Sequence, residues 1–166
     1  MPELAQVNVA RLRAPLDDPV MRGFVEGLAP VHRLAEGSPG FVWRLGTGAE
    51  HGVVVATDDG GPAFLNLSVW TDYDALHEFV YRSGHARFLR HAARWFAETR
   101  RPSTALWWVP AGSRPTAVDA ARRLAHLRTY GPSPRAFSLK RRFTPEGGPA
   151  AQDSRRALRK RSRPVS

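Results

Sequence analysis

His85 is the residue of this sequence whose type and position best suit acid–base chemistry. From Gly84 onward the chain has the periodicity of an amphipathic helix, and His85 falls on its apolar face, four residues after Tyr81. An imidazole on a buried face can act as a general acid or base in a cavity. The alternative is a structural histidine whose ring bonds to backbone carbonyls or to Tyr81. The same apolar face carries Phe88, Leu89, Ala92 and Phe96, and the opposite face carries Arg87, Arg90, His91 and Arg94.

Two predicted strands, residues 3–11 and 64–70, carry side chains that could orient a ligand. Both segments alternate in character, as strands with two different faces do. One face of each strand is aliphatic and suits burial beneath helices, so we expect the other face to point away from the helices. That second face combines neutral amides and a hydroxyl with a tryptophan, which favours a half-enclosed pocket or a second packing surface over a solvated one. Its members are Gln6 and Asn8 in the first segment and Asn66, Ser68 and Trp70 in the second.

The tryptophans are a second group to consider for a ligand site. Their usual place is the core or an interface, but Trp43, Trp70 and Trp107 are those we expect nearest a cavity. Trp107 and its neighbour Trp108 point to opposite faces of a strand, so only one of them can line it. His32 lies at helical spacing from apolar residues and is interpreted as structural. No pair of histidines has the spacing of zinc ligands.

The order of predicted elements is strand, helix, strand, strand, helix pair, strand, helix. This order predicts an α+β fold, in which a ferredoxin-like antiparallel sheet carries helices on one face. We predict one domain over residues 1–143. Residues 144–166 are rich in Gly, Pro, Ser and Arg without periodicity, which predicts a disordered basic tail.

Composition narrows the possible functions. The chain has 166 residues and no cysteine, so disulfides, thiolate metal sites and a cysteine nucleophile are excluded. Neither a signal peptide nor an apolar run long enough to span a membrane is recognisable, and we expect a cytoplasmic location without membrane contact. The net charge of +10 is densest in the tail and predicts nucleic-acid contact that is at most nonspecific.

Several segments together resemble an uncharacterised bacterial family, a domain of unknown function placed with the dimeric α/β barrels of the antibiotic-biosynthesis-monooxygenase type. The resemblance implies a homodimer closed through the sheets, with a cavity between sheet and helices. Cofactor-independent oxygenases of that superfamily orient oxidisable polycyclic compounds with polar and aromatic residues, a role open to Asn8, Asn66, Ser68 and Trp70. The alternative is that these amides only hydrogen-bond across the sheet. The segments are 4–11, 39–45, 67–70, 79–83 with His85, and 106–112 followed by 114–116.

A second similarity concerns the pattern of Tyr81-Arg82-Ser83, then His85, then an Arg-rich helix ending in Trp95-Phe96. It is similar to that of the spheroidene monooxygenase-like proteins, which are haem-associated. Only His85 would match a possible axial ligand. The metal prediction is therefore none, unless haem is bound through His85.

Three hypotheses follow for the function. The first is a monooxygenase-like enzyme or small-ligand binder without a cofactor, acting on an aromatic or polyene compound. Its expected catalytic residues are His85, Asn66 and Trp70, and its expected ligand-binding residues are Gln6, Asn8, Trp43, Ser68, Tyr81 and Trp107. The second is a haem-binding protein with His85 as ligand. The third is a noncatalytic dimeric interaction module whose basic tail attracts nucleic acid.

Overall fold

The computed structural model describes residues 1–46, 53–56, 61–82 and 90–151. The strands of the described residues form one antiparallel sheet, and the helices connect or follow them. The strands are β1 (Glu3–Arg11), β2 (Phe41–Arg44), β3 (Val53–Ala56), β4 (Pro62–Trp70) and β5 (Thr104–Val109). The helices are a short 3-10 helix (Pro19–Met21), α1 (Arg22–Glu36), α2 (Tyr73–Arg82), α3 (Ala92–Trp95) and α4 (Ala117–Tyr130).

The sheet has the strand order β2-β4-β1-β5, and β3 pairs with β4 on the same edge as β2. All pairs are antiparallel. This is the order of a ferredoxin-like β-α-β-β-α-β unit in which two short strands, β2 and β3, share the place of one. The predicted fold class is therefore confirmed.

The amide-bearing face of the sheet lies beneath α1 and α2. In the β1–β4 register Gln6 is opposite Ser68 and Asn8 is opposite Asn66, so these side chains share one face. Trp70 on that face packs with residues of α1 and α2 in a buried cluster. Our expectation that this face points away from the helices is therefore wrong. The physical reason is that this face also supplies apolar area beside its amides, from Leu4, Trp70 and Leu106. Ala35 of α1, Leu76 and Phe79 of α2, and Phe137 after α4 belong to the same buried cluster.

The aliphatic face of the sheet is covered by α4, in keeping with our expectation that it suits burial under a helix. Leu124 and Leu127 of α4 pack with Val7 and Leu67 in a second buried cluster. The helix begins at Thr116 with a capping box, in which Thr116 and Asp119 each bond the other's backbone nitrogen. The two crossover helices thus lie on one face of the sheet, and the additional helix α4 lies on the other.

Two local features position the helices over the amide face. Asp72 caps α2, accepting from the Ala75 backbone nitrogen at 2.9 Å. Helix α1 is continuous through Pro30. Of the helix predicted over residues 84–96, the described part contains only α3.

The folded chain extends past residue 143. Phe143 pairs with Pro149 in an isolated bridge, and the Ala150 nitrogen donates to the Arg142 carbonyl at 3.0 Å. The domain boundary that we predicted after residue 143 is thus too early for residues 144–151. The remaining part of the predicted disordered tail, 152–166, lies outside the described residues. No helix in the described ranges is long and apolar enough to span a membrane.

Candidate functional site

A cavity of about 250 Å³ lies between the amide-bearing face of the sheet and the helices α1 and α2. Its walls are mostly apolar, and its polar groups come chiefly from the sheet. This is the composition typical of a small-molecule site, where a few placed polar groups fix the orientation of a ligand. The lining residues are Gln6, Asn8, Val31, His32, Ala35, Arg44, Asn66, Ser68, Trp70, Leu76, Phe79, Val80, Tyr81, Thr104 and Leu139.

Trp70 forms a rigid wall of the cavity. Its ring stacks on Phe79 with centroids 5.0 Å apart, and the edge of Phe41 meets it at 5.4 Å. The side chain is only 1% exposed. Its position is fixed further because its indole nitrogen donates to the Ser68 hydroxyl at 2.9 Å. The wall is therefore an aromatic surface held by packing and by a hydrogen bond.

A short chain of hydrogen bonds crosses the floor of the cavity. The Ser68 hydroxyl accepts from Trp70 and donates to the Gln6 side-chain oxygen at 3.0 Å. Separately, the Asn8 amide nitrogen donates to the Thr104 hydroxyl oxygen at 2.9 Å. These bonds join the side chains of Ser68, Gln6 and Asn8 to neighbouring strand residues. They agree with the alternative interpretation, in which the amides only hydrogen-bond across the sheet.

Asn66 differs from these side chains. It is partly buried and lines the cavity, and its side-chain amide makes no hydrogen bond to any other residue in the described part of the chain. A buried amide normally has a partner, because leaving it unsatisfied costs about 1–3 kcal/mol. The whole side-chain amide of Asn66 is therefore available to a ligand at the floor of the cavity.

His32, Arg44 and Glu36 form a charged cluster beside the cavity. His32 of α1 and Arg44 of β2 line the cavity, and the Arg44 Nε donates to the Glu36 carboxylate at 2.7 Å. The pKa of His32 lies below its ordinary value of 6.5 because the ring is desolvated by burial. The Arg44 guanidinium lowers this pKa further, while the Glu36 carboxylate opposes both effects. The imidazole is consequently held in its neutral form at neutral pH.

The structure brings together six of the nine predicted site residues at this cavity, namely Gln6, Asn8, Asn66, Ser68, Trp70 and Tyr81. Trp43 and Trp107 instead lie on the opposite face of the sheet, where they pack with the aliphatic cluster beneath α4. The strand register accounts for this, because Trp107 is opposite Ala5 and Trp43 is opposite Val69. His85 lies outside the described residues, so its role as acid, base or haem ligand stays a prediction.

Sequence reasoning missed His32 and Arg44. His32 shares helical spacing with Phe24 and Leu28, which signalled the correct side of α1, but we interpreted it as structural. Arg44 follows Trp43 in β2, and alternation alone places the two on opposite faces. No group of three or more His, Asp or Glu side chains suited to a metal ion occurs among the described residues.

Comparison with protein families assigns the chain to one family. It belongs to the family described as Domain of unknown function (DUF3291), whose model matches residues 3–153. The predicted membership of a family of unknown function is thereby confirmed. A comparison with curated proteins finds no match.

Similar folds occur among solved structures. SnoaB, a cofactor-independent oxygenase from Streptomyces nogalater, is 17% identical with a TM-score of 0.43, over 70% of this chain and 98% of SnoaB. A protein of unknown function from Nitrosomonas europaea is 14% identical with a TM-score of 0.46, over 70% of this chain and 98% of that one. The ActVA-Orf6 monooxygenase of Streptomyces coelicolor, in complex with nanaomycin D, is 18% identical with a TM-score of 0.36, over 70% and 93% of the two chains.

Proposed function

We propose that the cavity binds a small planar aromatic compound, and that the protein acts on it as a cofactor-independent, monooxygenase-like enzyme. The observation that carries this proposal is the amide of Asn66, which makes no hydrogen bond among the described residues and lies beside the stacked rings of Trp70 and Phe79. The rings offer an apolar surface to a flat ligand, and the amide offers a hydrogen-bond donor to one oxygen of that ligand.

The same arrangement suits chemistry at a carbon activated by a carbonyl group. When such a carbon loses a proton, negative charge develops on the carbonyl oxygen, and a preorganised amide donor stabilises that charge. The resulting enolate can be oxidised by dioxygen from solution. In the overall reaction a CH₂ group and one O₂ become a C=O group and one water, so that no further oxidant or reductant is required.

Dithranol, a dihydroxyanthrone, is a suitable probe because it is planar and carries an acidic CH₂ group opposite its carbonyl. We expect saturable quenching of tryptophan fluorescence on anaerobic binding, since Trp70 lines the cavity. With oxygen present, we expect uptake of one O₂ for each dihydroxyanthraquinone formed, faster than in buffer. Absence of both binding and accelerated oxidation would contradict the proposal for this class of compound.

Self-association through the sheet belongs to the same proposal. Helix α4 covers the β1, β4 and β5 part of the aliphatic face, whereas Trp43, Val53 and Val55 at the other edge remain partly exposed. We infer that a second copy packs against this edge to form the predicted homodimer. Light scattering during gel filtration tests this, and a monomer at micromolar concentration would contradict it.

A further inference from the structure

The cluster of His32, Glu36 and Arg44 is not used in the proposed binding of a flat ring by Trp70 and Phe79 and of its carbonyl oxygen by Asn66. His32 and Glu36 stand one helical turn apart on α1, so both side chains project from the same side of the helix. Arg44 approaches them from β2 and is bonded to Glu36 through Nε at 2.7 Å. The guanidinium edge formed by its two terminal nitrogens makes no hydrogen bond within the described residues.

Few other ionisable groups of the described residues lie around His32. Glu36 lies on its own helix, Arg44 on β2, and Tyr81 on α2 also lines the cavity. Apart from Arg44, the described sheet residues with polar side chains at the cavity are the neutral Gln6, Asn8, Asn66, Ser68 and Thr104. Burial and Arg44 both lower the pKa of His32, so the ring enters any reaction at neutral pH without its second proton.

We propose that His32 is the base that takes the proton from the bound aromatic compound, and that the Glu36–Arg44 pair positions it. The inference rests on the proposed function and adds a residue and a substrate class to it. The substrate would carry an acidic C–H group toward α1 and a conjugated carbonyl toward Asn66, since His32 and Asn66 line the same cavity from helix and sheet.

The proton-transfer step can be written with all atoms accounted for. A ring nitrogen of neutral His32 takes the proton from the CH₂ carbon, and the electron pair of the broken C–H bond moves into the conjugated carbonyl. The product is an enolate whose oxygen accepts from the Asn66 amide, paired with an imidazolium. Dioxygen adds to the enolate carbon to form a peroxide anion, which takes the proton back from the imidazolium. The second C–H bond and the O–O bond then break together, and the carbon becomes C=O while the outer oxygen leaves as one water with both protons.

The direct test is the absorption spectrum of dithranol bound under anaerobic conditions at neutral pH. We expect the wild type to show the enolate band at a pH where free dithranol does not. His32→Gln should still quench tryptophan fluorescence on binding but should show no enolate band, and its turnover should fall by at least about 100-fold. His126→Gln, on α4 at the opposite face, serves as the matched control and should behave as wild type.

A second measurement separates a base from a merely structural histidine. The acid limb of the kcat/KM profile should move to higher pH in Arg44→Gln, because the guanidinium lowers the pKa of His32. It should move to lower pH in Glu36→Gln, because the carboxylate raises that pKa. Shifts in the same direction, or no shift, would overturn the proposal.

The outcomes distinguish the two proposals. If the wild type binds dithranol and oxidises it, but His32→Gln retains the enolate band and turnover within twofold of wild type, the role of His32 is refuted and the proposed function stands. If the wild type neither binds nor oxidises dithranol, the proposed function fails for this class and the inference fails with it.

Discussion

The indole nitrogen of Trp70 donates a hydrogen bond to the hydroxyl oxygen of Ser68, 2.9 Å away and two residues earlier on the same face of β4. Ser68 is 6% exposed, and its hydroxyl donates a hydrogen bond to the side-chain oxygen of Gln6. The relationship couples the aromatic wall of the cavity to the polar floor. A change at either residue should therefore affect both the stability of the fold and the shape of the site.

We expect Ser68→Ala to lower the free energy of unfolding by about 1–3 kcal/mol, because it leaves the Trp70 nitrogen and the Gln6 oxygen without their partner. In a cycle with Trp70→Phe, the coupling energy should be about 1 kcal/mol. Urea denaturation of the two single variants and the double variant measures it. Trp43→Phe, on the opposite face, should show no coupling to Ser68→Ala. If the effects of Ser68→Ala and Trp70→Phe on the free energy of unfolding were strictly additive, the hydrogen bond between the two residues would be contradicted.

Stability should depend on pH through His32. Its folded pKa is below 6.5, so between the two values the unfolded chain binds more protons, and the free energy of unfolding falls as the pH falls through 6.5. Below the folded pKa this loss is complete. Thermal unfolding from pH 8 downward should therefore be less pH-dependent in His32→Gln than in the wild type.

The carboxylate of Asp119, which caps α4, affects the stability of the fold in a different range of pH. The hydrogen bonds from Thr116 lower its pKa below 3.8, so its stabilising effect is lost only as the pH falls below that value. The interval above about pH 4.5 thus separates the effect of His32 from that of Asp119. An unchanged pH dependence in His32→Gln over that interval would refute the assignment.

Helix α4 should be integral to the fold. Leu124 is 4% exposed against the aliphatic face, and we expect Leu124→Ala to cost about 2–5 kcal/mol of unfolding free energy, since a cavity would replace its side chain. Val118→Ala on the same helix is the control. Its side chain is 59% exposed, so the cost should stay within about 0.5 kcal/mol. Equal costs in chemical denaturation would show that α4 does not pack as described.

Haemin titration tests the haem hypothesis directly. The proposed function requires no cofactor, so we expect both the wild type and His85→Ala to give only the broad spectrum of free haemin. A saturable Soret shift in the wild type that is lost in His85→Ala would establish His85 as an axial ligand. It would also contradict a cofactor-free site.

Much of the sheet could be predicted because strand periodicity is a local property. The alternation in residues 3–11 and 64–70 grouped Gln6 and Asn8 on one face and Asn66, Ser68 and Trp70 on another, and pairing of β1 with β4 joins these faces. The α+β class followed from the order of elements. These predictions needed no knowledge of distant contacts.

The remaining features depend on tertiary packing. Both faces of β1 and β4 bury apolar residues, so composition alone did not determine which face lies beneath α1 and α2. Trp43 and Trp107 were assigned to the cavity by residue type, although the register places both on the other face. His32 lines the cavity together with Arg44, twelve residues later on a strand, and such a pairing leaves no local periodic signal.

Asn66 and Asn8 are paired across β4 and β1, and we propose that Asn66 offers its amide to a ligand while the amide of Asn8 holds the sheet together. The measurement is oxygen uptake with dithranol by wild type, Asn66→Ala and Asn8→Ala, together with the unfolding free energy of each. We predict that Asn66→Ala loses at least about 100-fold in kcat/KM with stability close to wild type, because it removes a donor to developing charge but no hydrogen bond between described residues. Asn8→Ala should lose about 1 kcal/mol of stability with its bond to Thr104. Wild-type turnover in Asn66→Ala would contradict the proposed role of the Asn66 amide.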